Sequence, residues 1–247
     1  MMVSIITVCY NSENTIYDTL NCIKNQSFNN IEHIIIDGGS QDTTIKIIAN
    51  FPHVSKIVCE RDSGIYDAMN KGLKFSTGDI IGILNSDDLL IETTLIEEIV
   101  KIFENNEDID IVYGNLLYID SNNMNKIIRK WKSTNYFENF FDFGNVPPHP
   151  TVYLRRSVYD KVGNFDLNFK LASDYDLMLR IFKKENFKSK FIDKYFVKMR
   201  IGGVTNKNWK NRIIQNIEIY NSWTKNKIKP PFYFFFYRFY NRISQYL

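Results

Sequence analysis

Several absences narrow the field before any motif is considered. The 247-residue chain has three cysteines, Cys9, Cys22 and Cys59, with no CxxC pair among them. All three fall in apolar segments, so they read as reduced core thiols. A net charge of +3 and the lack of any long Lys/Arg run argue against a nucleic-acid partner. No uninterrupted run of about 18 apolar residues is present, which removes a membrane-spanning helix. Met1-Met2 lacks the basic stretch of a secretory signal, and the apolar segment behind it is only a strand long. A cytoplasmic protein is expected.

What remains is ample for a core, with 44% hydrophobic residues, enough for one large domain or a domain with an appendage. The stretch Asp79–Asp88, DIIGILNSDD, is the most informative. Its apolar run, Ile80 to Leu84, reads as a buried strand that stops at Asn85-Ser86-Asp87-Asp88. Two adjacent carboxylates there repel each other and are costly to bury unpaired. A hard divalent cation holding a phosphate relieves both problems. The alternative at this point is a cap for a helix starting near Leu89.

Similar short strands precede it. Val3–Tyr10 ends in Asn11-Ser12, and Glu32–Ile36 ends in Asp37-Gly38-Gly39-Ser40. Lys56–Cys59 ends in Glu60-Arg61-Asp62-Ser63-Gly64. Helical spacing over Thr15–Gln26, Ile45–Ala49 (with Ser40 as its cap) and Ile65–Phe75 separates them. Alternation of this kind predicts a parallel sheet with crossover helices. In such a sheet all four polar strand ends lie on one edge, where α/β proteins bind ligands. Loops favour Asn, Asp, Gly and Ser in any case, but four such ends with an Asp pair favour a nucleotide-type ligand.

Read in order, VSIITVCYN, IIIDGGSQDTT, DSGIYDAMNKG and GDIIGILNSDD resemble the family 2 glycosyltransferases, of the bacterial cell-surface polysaccharide type. The resemblance covers the first 120 residues and continues more weakly to Gly203. It implies a GT-A, Rossmann-like α/β fold: a mostly parallel sheet with flanking helices, an acceptor-side α+β half and a helical tail. Residues 1–205 would form the catalytic domain, divided at 120 into nucleotide-sugar and acceptor halves, with 206–247 as the extension. It further implies a hexosyltransferase-type enzyme that moves sugar from a nucleotide-sugar, a UDP-sugar by the family's habit, to a glycan or lipid-linked glycan, inverting the anomeric centre. The DxD-like Asp87-Asp88 would hold Mn2+ or Mg2+, with Asp88 the direct ligand and Asp87 on the metal shell or the donor. Tyr10, Asp37 and Asp62 would line the nucleoside pocket, with Asn70 and Lys71 near the donor. At one place the chain departs from the pattern: many relatives carry two acids where it has Asp37-Gly38.

The second half adds fewer signals. Thr93–Phe103 has the spacing of a helix; Ile109–Asp120, interrupted by Gly114, and Ile127–Trp131 read as strands. The aromatic Tyr136–Phe143 reads as core. In Asn145–Tyr153 three prolines fix the backbone around His149. The resemblance makes His149 a donor-phosphate contact or a further metal ligand; a lone histidine is otherwise usually structural. Asp174 opens a helix and matches the family's general base, with Asp176 in reserve; acids also suit a helix N-terminus without any catalytic role. Gly202–Thr205 reads either as a loop that closes over the donor or as an ordinary turn. Trp209–Trp223 is expected as a helix with Ile213, Ile214, Ile217 and Tyr220 facing inward. In the tail, Phe232, Phe235, Phe236, Phe239, Ile243 and Tyr246 share a helical face beside basic residues. That pattern suits the inner leaflet of a membrane, lying in the interface, although packing on the domain or in a homodimer is the alternative. Two other functions fit the paired acids, a nucleotidyltransferase and a silent nucleotide-sugar-binding subunit. The first wants a Gly/Arg-rich phosphate loop near strand one, which Tyr10-Asn11-Ser12 does not provide.

Overall fold

The structure, a computed structural model, describes residues 1–185, 187–202 and 209–245. Strands β1 (Val3–Cys9), β2 (Ile31–Asp37), β3 (Val54–Cys59) and β4 (Ile80–Ile83) pair in parallel in the order β3-β2-β1-β4. The crossovers are α1 (Ile16–Lys24), α2 (Thr44–Ile48) and α3 (Ile65–Phe75). This is the parallel sheet with crossover helices that the alternation of strands and helices predicts. Beyond β4 the sheet becomes mixed and continues β8-β6-β9-β5, with β7 paired to β6. These strands are β5 (Asp88–Leu90), β6 (Ile111–Ile119), β7 (Ile127–Trp131), β8 (Tyr153–Arg155) and β9 (Ser189–Arg200). Of their pairings only β6–β9 is parallel.

Alternation of side chains along β1 divides the core. Ile6 and Val8 face α3, α5 (Arg156–Val162) and α6 (Ser173–Met178). Val3 and Ile5 face α4 (Leu95–Asn105), and Cys9 faces α1 and α2. On α4, Leu95, Ile96, Ile99, Val100 and Phe103 are all buried, each contributing about 1.5–3 kcal/mol of burial. Phe140 and Phe141 lie in the core, as the aromatic density predicts.

Several local expectations are corrected. No helix begins at Leu89: Asp88–Leu90 pairs antiparallel with Val197–Met199, so Asp87-Asp88 caps nothing. Ser40 does not cap α2, whose N-terminal flank is Thr43; its hydroxyl donates to Asp37 instead. Strand β6 runs through Gly114 with only a register shift, because Phe196 fills the space where a Cβ would stand. Of the three thiols only Cys9 is buried, while Cys22 is partly covered and Cys59 is exposed.

The chain's last helices pack on α6. In α7 (Trp209–Lys225) the inward residues are Ile219, Ser222 and Trp223. Ile213, Ile214, Ile217 and Tyr220 are exposed, opposite to the expectation. In α8 (Phe234–Ser244) Phe234 alone is fully buried. The expected division at residue 205 and the closing-loop residues Gly203–Thr205 lie outside the described residues, as does Tyr246. Among the described residues no helix is long and apolar enough to cross a membrane.

Candidate active site

The parallel register brings Cys9, Asp37 and Cys59 side by side at one sheet edge, so the loops that follow them adjoin. Strand β8 runs antiparallel to β4 with Tyr153 opposite Gly82, which delivers the preceding turn His149–Thr151 to the same edge.

The Asp pair is tied down on three sides. Asp88 is fully buried; the Asn85 side-chain amide donates to its Oδ2 at 2.9 Å, and its Oδ1 is buried without a partner. Asn85 Oδ1 is likewise buried and unpartnered. The Thr19 hydroxyl of α1 donates to the Asp88 carbonyl at 2.8 Å. Arg200, at the end of β9, donates to the Asp87 carbonyl at 3.0 Å and pairs with Asp18 at 2.5 Å. The Ser12 and Ser86 hydroxyls meet at 2.9 Å and join this loop to the one after β1. Burial pushes both carboxyls above the usual carboxylate range, and for Asp88 the neighbouring Asp87 charge adds to it. Unshared carboxylate and amide oxygens beside a second acid are the donor set of a hard divalent cation. Among the described residues no three His, Cys, Asp or Glu gather as a metal cluster.

The loops that follow β1, β2 and β3 meet around Gly38. The Asp62 carboxylate occupies the space a side chain at 38 would need: its Oδ2 lies 2.5 Å from the position of a Cβ there, and the Tyr10 ring lies 3.4 Å from it. Asp62 Oδ1 accepts from the Gly64 N–H at 2.9 Å. Tyr10 is 60% exposed. Asp37 is placed differently from what its strand-end position suggests. Its carboxylate is buried, and its oxygens accept from the backbone N–H groups of Gly39 and Ser40, the Ser40 hydroxyl and two thiols. These hydrogen bonds, Ser40 foremost, hold its carboxyl below the usual range although burial opposes them. It shapes the loop and leaves no free acceptor. Asn70 is spent on both backbone groups of Phe165, at 2.9 Å each, and Lys71 on the Arg61 carbonyl, Glu60 and Asp67.

Asp174 stands in the first turn of α6, and the Tyr66 hydroxyl donates to its Oδ1 at 2.9 Å. Tyr66 belongs to the first turn of α3, directly after the Asp62–Gly64 loop, so Asp174 reaches the edge that carries Tyr10 and Asp62. Burial and the Asp174 charge raise the Tyr66 phenol well above its ordinary value, keeping it a donor. His149 packs edge-on against Phe165, and burial lowers its pKa against the pull of Asp174. Asp176 is committed to Arg180 at 2.9 Å and to the Asn226 amide at 2.8 Å, a structural role. Tyr66, Arg200 and Asn85 carry much of this site, and their pattern does not single them out. Tyr66 reads as an available helix residue, and the only hint is a large aromatic in the first turn after Asp-Ser-Gly.

Comparison with known proteins now decides the family. The model of "Glycosyl transferase family 2" matches residues 4–163. The chain belongs to this family. Within it, a PGL/p-HBAD biosynthesis glycosyltransferase of Mycobacterium tuberculosis is 28% identical over 185 residues, 73% of this chain and 70% of that one. An uncharacterized glycosyltransferase of Methanocaldococcus jannaschii is 26% identical over 210 residues, 81% and 71% of the two chains. Among solved structures, the mannosyltransferase PcManGT of Pyrobaculum calidifontis, in complex with GDP-Man and Mn2+, aligns at a TM-score of 0.68 and 16% identity over 98% of this chain and 70% of that one. Staphylococcus aureus TarS 1-349 with UDP-GlcNAc gives 0.66 and 17%, over 90% and 67%. A longer TarS chain is spanned to 40% of its length. These likenesses establish the shared GT-A fold of this family 2 member, in which the mixed second half of the sheet is part of the architecture.

Proposed function

We propose that this chain transfers a sugar from a nucleotide-sugar, a UDP-sugar, to a hydroxyl of a glycan or lipid-linked glycan, with inversion. The observation that carries the reading is the convergence of three parts on one sheet edge: the buried, unpartnered Asp88 oxygen, the Tyr10–Asp62 pair over Gly38, and Asp174 held by Tyr66. The solved GDP-Man and UDP-GlcNAc complexes of relatives in fold support a nucleotide-sugar as the donor class.

In this reading the exposed Tyr10 ring stacks on the base, and Asp62 Oδ2 accepts from the imide N–H of uracil. Asp37 acts at one remove, by keeping the 38–40 loop in shape. Asp88 and Asp87 would hold Mn2+ or Mg2+, which when bound supplies a Lewis acid that neutralises charge on the departing diphosphate. Asn85 orients Asp88, and Arg200 fixes the Asp87 backbone. Asp174 takes the acceptor's hydroxyl proton as the new bond to the anomeric carbon forms. The bond between that carbon and the diphosphate oxygen breaks, and the nucleoside diphosphate leaves. Tyr66 orients Asp174 by its hydrogen bond, while His149 and Phe165 wall off the same corner.

Asp174→Asn tests the base. The expected outcome is loss of sugar transfer with UDP affinity retained; full transfer in the variant would refute the assignment. A nucleotide-sugar screen that finds donor binding but never free nucleoside diphosphate would identify a silent binding subunit.

A further inference from the structure

The inner side of α8 is mixed, with Phe234 buried against Trp223 and two polar side chains turned inward beside it. Arg238 lies over the Tyr175 ring, and the Asn241 amide donates to the Phe143 carbonyl at 2.8 Å. Phe236 and Phe239 on the other side are 70% and 67% exposed, and Phe232 just before the helix is 99% exposed. A helix that merely packs on a domain does not leave such an aromatic stripe in water. The outward apolar side of α7 joins this surface: the Tyr220 and Phe235 rings stack at 6.5 Å, and with Ile213 and Ile217 they line a shallow groove. Of the twenty-one large hydrophobic side chains exposed among the described residues, eleven lie on this one unit.

Charge identifies what covers it. Between Trp209 and Gln245 the chain carries seven Lys or Arg and one acid, Glu218; Arg238 turns inward and Lys225 pairs with Asp166, while Lys210, Arg212, Lys227 and Lys229 are exposed. Glu218 is itself turned inward, accepting from the backbone N–H groups of Lys170 and Leu171. Lys210 sits against the exposed Trp209, and the exposed Lys227 and Lys229 flank the turn before Phe232. A second copy of this chain docking on the same patch would bring like charges together. An anionic bilayer supplies both the apolar depth and the opposite charge.

We propose that α7 and α8 form one in-plane docking surface for a bilayer bearing anionic phospholipid. The same helices are anchored to the wall that carries Asp174. The Trp223 indole N–H donates to the Tyr175 hydroxyl at 2.9 Å, and Gln215 donates to the Leu171 carbonyl at 3.3 Å. Docking therefore holds the acceptor side of the site at the membrane. On the reading of a glycosyltransferase, the acceptor hydroxyl is then presented by a lipid-linked molecule.

The test is cosedimentation of the full chain with phosphatidylcholine vesicles, with and without phosphatidylglycerol. The chain is expected to bind the anionic vesicles and to be released by salt. Phe236→Ser with Phe239→Ser should weaken binding by about tenfold or more. Lys227→Glu with Lys229→Glu should remove the preference for phosphatidylglycerol, each lysine being worth about fivefold. Unchanged thermal melting and unchanged stabilisation by UDP with Mn2+ show that the variants remain folded. Failure of the wild-type chain to bind either vesicle, wild-type binding by the phenylalanine variant, or a dimer that this variant dissociates would overturn the proposal. Donor turnover is read separately as UDP released from a UDP-sugar, so a failed membrane surface and a failed transferase reading give different results.

Discussion

Substituting Gly38 by Ala is the sharpest probe of the nucleoside pocket. Gly38 is not in the left-handed region, so an added methyl group causes no backbone strain there. The conflict is with one atom, Asp62 Oδ2, at 2.5 Å. Because that atom ends a flexible side chain, the carboxylate can swing away, giving up its bond to the Gly64 N–H at a cost of about 1 kcal/mol. Replacing glycine by alanine returns about 0.4–1 kcal/mol through the unfolded chain, so the melting temperature should hardly move. Donor binding is different. A hydrogen bond to a charged group is worth about 1.5–3 kcal/mol, so UDP should bind about ten- to a hundredfold more weakly. Asp62→Ala should show the same loss, and the double variant should be no worse than either single one, since both remove one interaction. Isothermal titration of UDP in the presence of Mn2+ measures all three. Additive losses, or wild-type affinity in Gly38→Ala, would refute the dependence of Asp62 on the missing side chain.

Asp88→Asn removes a buried charge, so the metal-free variant should be at least as stable as the wild type. Mn2+ at about a hundred times its Kd should stabilise the wild type by about 2.7 kcal/mol and the variant not at all; an equal melting shift in both would exclude Asp88 as a ligand. Tyr66→Phe keeps the packing against Phe165 but frees Asp174, and should lower kcat about tenfold with UDP affinity unchanged; an unchanged kcat would remove Tyr66 from the reaction. His33, buried between Thr7 and His53, has its pKa lowered from 6.5 to about 3 by burial. The unfolded chain therefore takes up a proton below pH 6.5 that the native chain refuses. Stability should fall as pH drops from about 6.5 towards 3, by about 1.4 kcal/mol per pH unit for that proton. Urea midpoints measured against pH should lose this slope in His33→Gln, and an unaltered slope would assign the sensitivity elsewhere.

The elements of the parallel half are legible in the sequence because they rest on short-range rules. The apolar period of Ile65–Phe75 and the Gly64 before it define α3 at both ends. Short runs rich in β-branched residues mark β1 and β2, and βαβ connection places their ends on one edge. Motif order alone singles out the Asp pair, Asp62 and Asp174 as candidates, and the structure brings Asp62 beside Gly38 and Asp174 beside Tyr66.

What each side chain does there depended on partners far along the chain. Asp37 was expected in the pocket, but thiols from the strands on either side and Ser40 enclose it. Asn70 and Lys71 are expected near the donor; the structure adds that Asn70 bonds Phe165 and Lys71 the Arg61 carbonyl. Tyr66 meets Asp174 across 108 residues, and Arg200 meets Asp87 across 113. In α7 and α8 the periodicity located apolar faces but could not say which way they turn. An amphipathic pattern reports that a face prefers to leave water, while the direction is set by what else competes for the core. Here Trp223, Phe234 and Asn241 won the inner positions, and the aromatic face was left outward. Local sterics and periodicity are written into consecutive residues, but hydrogen bonds between distant segments exist only once the whole sheet has closed.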